Sequence, residues 1–364
     1  MRLRVLVLII LFCLPLTAQT ANQQQPKPPA TPVDPAEAGD DDIIPIRIGP
    51  VTLSGSAWAE SIIIAEDNRN DAAGTFHLGR VRLGLAGNLT PRIGWNITGE
   101  LTAEPALRNA FVLIRLTDQI SIRAGQATPP TGLERGTSPL AIELIDRSVV
   151  TNRMTSALDS GVTVLNSHPI RGWLSYAFSV VNGAGYNRAD DNDAKDVAGR
   201  IAITPPRAKG LTLVGSGSTG KQPKGRRIRS GIGVEYDVPR FKIAVEGLRQ
   251  SNENAPGSKG AFVMAAYRFR PRTVRPHFEM LELAARYVGL NDPASAQSTA
   301  PPVVDADGGG RRPAHGLPSI TREFQGGANY YVNRNIRFMA NVIVPADHRT
   351  SPATLFLTRL QIVF

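Results

Sequence analysis

The sequence predicts an all-β protein: a transmembrane antiparallel β-barrel of sixteen strands. Three observations point to it. The last ten residues alternate, with Phe356, Leu360, Ile362 and Phe364 on one face, broken only by Thr358, and Arg359 and Gln361 on the other. Apolar groups outside and polar groups inside at period two mark a barrel strand in lipid. Short alternating segments of this kind recur along the chain, separated by turn residues. No apolar run is long enough to cross a bilayer as a helix.

Composition sets the outer limits. The chain has 364 residues, enough for one large barrel or two soluble domains. Aromatics are 6% and mean hydropathy is −0.13, which excludes a polytopic helical membrane protein but not a barrel with a polar bore. Residues 1–18 read as a secretory signal. Arg2 and Arg4 form its positive start, Val5 to Leu16 its apolar core, and Thr17, Ala18 and Thr20 its small-residue end. Cys13 is the only cysteine and lies within that signal, so the mature chain has no thiol for a disulfide or a metal. Residues 19–46 are rich in Gln, Pro and Ala. Pro26, Pro28, Pro29, Pro32 and Pro35 oppose both helix and paired strand, which predicts a disordered periplasmic tail. The barrel then occupies residues 47–364.

The strands follow in order. Val51–Ile64 is the first. In Phe76–Leu89, Val81, Leu83 and Leu85 lie on one face and Arg80 and Arg82 on the other; Thr90-Pro91-Arg92 then turns the chain. Ile93, Trp95, Ile97 and Leu101 alternate with Asn96, Thr98 and Glu100. Leu107–Leu116 and Ile120–Gln126 flank the tight Thr117-Asp118-Gln119. A long irregular stretch, Ala127–Ala157, comes next. Strands resume at Gly161–Leu165 and Arg171–Val181, then at Val197–Ile203 and Leu211–Gly217. Ser218–Arg227 reads as a basic loop. Arg229–Asp237, Phe241–Gln250, Gly260–Arg268, His277–Leu290, Thr321–Val332, Arg337–Ile343 and Leu355–Phe364 complete sixteen. Each strand with its connector takes ~20 residues, the scale set by strands of roughly ten residues crossing a bilayer. Short connectors alternate with long ones, as in barrels with short periplasmic turns and long outer loops. A soluble β-sandwich array would need several cores and would leave that alternation unexplained.

Charge and motifs narrow the function. The net charge is +10, and of 41 basic residues only seven are lysine. Arginine keeps its charge and grips oxyanions with a planar fork. An exported chain without a nucleic-acid motif points to small anions or anionic lipid rather than nucleic acid as partners. His77, His168, His277, His315 and His348 have no metal-ligand spacing, and no nucleophile elbow or phosphate loop occurs. Ser167 beside His168, or Asp347 beside His348, would point apart in a strand. The chain is therefore read as no enzyme, with no cofactor and no metal. The acidic run Asp190-Asp191-Asn192-Asp193 lacks the spacing of a calcium loop. The run from Lys221 to Arg227 suits a solvated rim, an anion lure or lipopolysaccharide phosphates.

Several stretches resemble the phosphate-selective porin O and P family. The first runs from Ala124-Gly125-Gln126 through Pro129-Pro130-Thr131-Gly132-Leu133-Glu134 and Ser138 to Ile145-Asp146-Arg147-Ser148. The others are Val181-Asn182-Gly183-Ala184-Gly185, the stretch Leu281–Tyr287, and the run Gly326–Arg337 followed by Arg359 and Gln361 at the end. Their order covers most of residues 75–364. The resemblance implies a homotrimeric outer-membrane porin that passes anions such as phosphate or polyphosphate, embedded in outer-membrane lipid and lipopolysaccharide. It also implies a loop folded into the bore as a constriction. By position that loop is Ala127–Ala157, which carries Arg135, Arg147 and Arg153 beside Glu134, Glu143, Asp146 and the nearby Asp159. Family members with phosphate preference use a lysine cluster with their arginine ladder, whereas this chain has no lysine between Lys27 and Lys195.

Alternation places Arg80, Arg82, Arg123, Arg286, Arg337 and Arg359 on the bore side as candidate anion-binding residues. Arg268 sits in a strand whose two faces are both mostly apolar. The competing role is structural, with these arginines paired to lumen carboxylates such as Glu100, Glu235 or Glu279. A general diffusion porin and a structural or adhesive barrel are the alternatives to an anion channel.

Overall fold

The computed structural model describes residues 46–48, 51–65, 74–102, 107–190, 192–222, 225–271, 277–293, 320–346 and 354–364. The expected signal and nearly all of the expected tail lie outside these residues, as do Asp191, His315 and His348.

Among the described residues seventeen strands are formed. A short β1 (Ile46–Ile48) leads into β2 (Val51–Ala65), β3 (Gly74–Thr90), β4 (Ile93–Glu100), β5 (Leu107–Arg115) and β6 (Ile120–Ala127). After the long loop come β7 (Asp159–Asn166), β8 (Leu174–Val181), β9 (Asp196–Ile203), β10 (Leu211–Gln222), β11 (Gly225–Val238) and β12 (Phe241–Asn252). The last are β13 (Ser258–Phe269), β14 (Met280–Asn291), β15 (Ile320–Asn333), β16 (Ile336–Pro345) and β17 (Thr354–Val363). Each strand from β2 to β17 pairs antiparallel with the next, and β17 returns to β2, so sixteen strands close a ring. Closure leaves no sheet edge, the condition for crossing lipid with strands. β1 pairs with the start of β2, beyond the last β17 residue.

The C-terminus seals this seam. Gly55 and Phe364 exchange both backbone hydrogen bonds, at 2.8 and 2.9 Å. A side chain at Gly55 would sit 2.4 Å from the Phe364 ring, so glycine is what lets the ring lie there. The outer face of β17 carries Phe356, Leu360, Ile362 and Phe364, while Arg359 and Gln361 are buried on the inner face.

At three places the strands differ from the sequence reading by three residues or more. The basic loop expected at Ser218–Arg227 is the tip of a hairpin: β10 runs to Gln222, β11 starts at Gly225, and Lys221 pairs with Arg226. β8 begins at Leu174 rather than Arg171, because Arg171 (φ 52°) and Gly172 (φ 77°) hold a left-handed turn that no strand accepts. β14 begins at Met280 rather than His277, which has φ 63°.

The inner wall is not uniformly polar. The segment between β6 and β7 crosses the bore and packs on one side of it. It contains a 3-10 turn, Glu134–Gly136, and a short helix α1, Val149–Met154, capped by the Ser148 hydroxyl accepting from Thr151 N. Leu133, Leu144, Val149, Val150 and Met154 of this segment join Leu248, Phe262, Met264 and Val288 of the wall in one apolar cluster. A second cluster joins Ile145 to Met339, Ile343, Leu355 and Leu357. Side chains added at Gly233, Gly260 and Gly327 would each come within 2.7 Å of Leu133, Val150 and Leu144, so wall glycines admit these loop residues.

Candidate functional site

Ion pairs and hydrogen bonds anchor the loop where it meets β11–β17. Glu134 pairs with Arg286 and accepts from Ser148 N at 2.9 Å. Glu246 on β12 is almost wholly buried; it accepts from Leu133 N at 2.6 Å and Glu134 N at 3.1 Å. Lys242 bridges Glu143 (2.9 Å) and Glu235 (3.1 Å). Arg268 pairs with Asp237 (2.6 Å) and Glu282 (2.8 Å). Arg337 donates to Ile142 O at 3.0 Å and Gln361 at 2.9 Å. Arg359 pairs with Glu60 and lies 3.8 Å from Asp146. Arg153 reaches Asp292 at 3.6 Å.

Titration of the anchor has a definite sign. Burial raises the Glu134 carboxyl, but Arg286 and hydrogen bonds from Thr151 and Ser148 outweigh it and hold the group below its ordinary range. Glu143 is raised, first by burial and further by Glu282, against the opposing pull of Lys242. Protonating Glu143 as pH falls therefore favours the folded state. The Glu134 contribution is complete above the ordinary carboxylate range and is lost as pH falls through its lowered value. We expect the loop to hold at mildly acidic pH and to loosen only below that range. A titration of channel current noise would show it, and loosening near pH 6 would contradict the assignment.

Across the bore the arrangement changes. Between the loop and β2–β6 lies a cavity of about 140 Å³. Arg82, Arg108, Arg123, Arg135 and Arg147 line it with Ser54, Ser56, Asn96, Thr98 and Asn109, and among the described residues no carboxylate is in the lining. Several of these arginines donate to neutral oxygens, which fix where the guanidinium sits. Arg123 Nη2 donates to Thr128 O at 3.2 Å and Arg135 Nε to Thr155 Oγ1 at 2.8 Å. Arg147 Nη2 donates to Thr137 O at 2.6 Å. Arg82 leans on Glu100 at 3.3 Å.

The nine arginines singled out by alternation and loop position thus divide. Arg82, Arg123, Arg135 and Arg147 come together around the cavity. Arg286, Arg337, Arg359 and Arg153 sit among the anchors. Arg80 is buried in the wall against Glu100 at 2.9 Å. It and Arg359 sandwich Trp58, with guanidinium carbons 4.2 and 3.8 Å from the ring centre.

Two arginines at or beside the cavity escaped the sequence reading. Arg108 lines the cavity because of a bulge: Thr98 pairs with Asn109 but Gly99 with Leu107, so Arg108 is an extra residue and Asn109 beside it also faces inward. Period-two counting fails at such a step. Arg200 on β9 does follow alternation, opposite Ile201 and Ile203; its Nε donates to Gly132 O at 2.9 Å, beside Arg123 and Arg135. Ser167 bonds Ser121 at 2.6 Å, with its hydroxyl committed to the wall.

Comparison with known proteins agrees with this construction. Residues 58–238 match the family described as phosphate-selective porin O and P. The fold is similar to that of Salmonella typhi OmpF in complex with daunomycin, with TM-score 0.61 and 14% identity over 86% of this chain and 97% of that one. It is also similar to an anion-selective porin from Comamonas acidovorans, with TM-score 0.55 and 13% identity over 86% and 99%. A trimer form of OmpT, an outer-membrane protein of Vibrio cholerae, aligns with TM-score 0.53 and 12% identity over 86% and 99%. No curated protein sequence matches the chain. The closed sixteen-strand ring, its inward loop and the match of residues 58–238 to the phosphate-selective porin O and P family lead to one assignment: the chain is a bacterial outer-membrane porin.

Proposed function

We propose that the barrel is a passive channel preferring small anions, phosphate among them, and that the cavity arginines set the preference. The observation that carries this reading is the lining itself: among the described residues, five arginines and no carboxylate around about 140 Å³. A row of one sign in a confined space focuses the potential and raises the local anion concentration. Partial replacement of hydration by fixed donors lets an anion enter without being trapped. Arg82, Arg108, Arg123, Arg135 and Arg147 are the residues assigned to this task. Arg80, Arg286, Arg337, Arg359 and Arg153 hold the wall and the loop. The trimer form known for the structurally similar OmpT supports a homotrimer here.

Reconstitution in planar bilayers across a KCl gradient tests the reading. The reversal potential should follow chloride, and phosphate at micromolar concentration should block the current. Weak anion preference without block would leave a general diffusion porin. Absence of conductance would favour a structural barrel.

A further inference from the structure

The outer wall carries a second basic surface, which faces away from the bore. Arg249 on β12 and Lys259 on β13 are direct partners in register, and both are exposed on the outward face. Cross-strand neighbours have Cβ atoms ~5 Å apart, and like charges so placed repel. Arg322 on β15 is exposed on the same face. Among the described residues none of these three cations has an ion-pair partner. Lys259 pairs with Asn291, and Asn291 with Ile320, two residues before Arg322. From standard strand spacing the Lys259 and Arg322 Cα atoms are ~12 Å apart, so two long side chains can converge on one head group.

The wall below them is apolar and indented. Gly247, Ala261 and Gly289 are successive cross-strand partners beside Arg322. A side chain at Gly247 or Gly289 would meet nothing within 4 Å. Val245 and Val263 follow along the strands, exposed, with the Tyr287 and Phe324 rings packed 4.8 Å apart. The cations sit at the barrel end that bears the long connection 292–319, the outer end of a bacterial barrel. Cations above, an indentation beneath and an aromatic apolar band below match the order of a membrane lipid from head group to chains.

We propose that this surface binds a phosphorylated lipid of the outer leaflet, with its phosphate on Arg249, Lys259 and Arg322 and its acyl chains over the indentation. The phosphate relieves the repulsion between Arg249 and Lys259 and accepts charge-assisted hydrogen bonds from both. The chains cover wall that a free anion would leave bare. This site rests on the outer-membrane assignment and is independent of what the bore selects.

The test uses the full chain purified free of lipopolysaccharide and placed in phosphatidylcholine nanodiscs. The discs are doped with the phosphorylated lipid moiety of lipopolysaccharide or with its dephosphorylated form. Native mass spectrometry reads lipid bound, and thermal unfolding reads stability. Arg249→Gln/Lys259→Gln should bind the phosphorylated lipid about tenfold more weakly, the loss of one strong charged hydrogen bond. Without lipid the double variant should melt above the parent, because the repulsion is gone; with the phosphorylated lipid it should melt below. Equal binding of the two lipids, or an unchanged variant, would overturn the proposal. So would equal stabilisation by inorganic phosphate alone. Conductance should match the parent throughout, since neither residue lines the bore. A changed conductance would instead fault the placement of the two residues on the outer wall.

Discussion

Replacing Arg82, Arg108 and Arg123 with glutamine, one after another, is expected to lower the anion-to-cation permeability ratio at each step. The size follows from Coulomb's law. A unit charge ~8 Å from a passing ion contributes about 0.5 kcal/mol in bulk water and about 2 kcal/mol at an effective dielectric constant of 20. Each substitution should therefore reduce the ratio between about twofold and about thirtyfold, and the three together should abolish the preference. Arg82→Gln is the cleanest step, because Glu100 keeps Arg80 at 2.9 Å and is not left bare. Salt offers an internal check. The Debye length is ~10 Å at 0.1 M and ~3 Å at 1 M, so the differences should shrink as ionic strength rises. Reversal potentials in asymmetric KCl measure all of this. Three folded variants with the parent's ratio would show that the cavity does not select.

Removing the Glu134 carboxylate should have the largest effect on stability. Arg286, almost fully buried, would lose its ion pair, and Ser148 N would lose an acceptor. Breaking one side of a buried pair typically destabilises by about 3–5 kcal/mol. We expect Glu134→Ala to lower the denaturant midpoint, raise single-channel conductance and add gating noise as the loop leaves the wall. Glu134→Gln/Arg286→Met removes both charges and should recover much of the stability, which a double-mutant cycle would quantify. A quiet, parent-like Glu134→Ala channel would mean that the apolar contacts of Leu133, Leu144 and Val150 hold the loop alone.

Much of the architecture is legible in the sequence. The sixteen strands, their order and the outward faces of β3 and β17 follow from period-two alternation, because lipid outside and water inside impose opposite demands on successive residues. The position of the inward loop, expected at Ala127–Ala157, came with the family resemblance, and residues 128–158 do cross the bore. Strand ends were harder. The Ser218–Arg227 segment is polar and basic, yet it pairs as a hairpin because strands that rise beyond the membrane keep their ladder without needing apolar side chains.

The division of the arginines was beyond the sequence. Arg82 and Arg286 look alike in alternation, each on the polar side of a strand. One lines a cavity and the other is tied to Glu134, a residue 152 positions away in the chain. Which fate each meets depends on where the loop lands. Its apolar side chains find the glycines of β11, β13 and β15, Met264 and Met339, and draw Glu134, Glu143 and Asp146 to that side, leaving the opposite lining basic. The same packing explains why both faces of β13 read as apolar: Phe262, Met264 and Ala266 face the bore side and are buried in the cluster that the loop joins. The bulge that turns Arg108 inward is likewise a property of paired strands. By itself the sequence determined a closed barrel of sixteen strands with a basic bore, because alternation is local and the membrane enforces it. Only the tertiary structure decided which arginines tie the loop to the wall and which surround open space, because that depends on contacts between residues far apart in the chain.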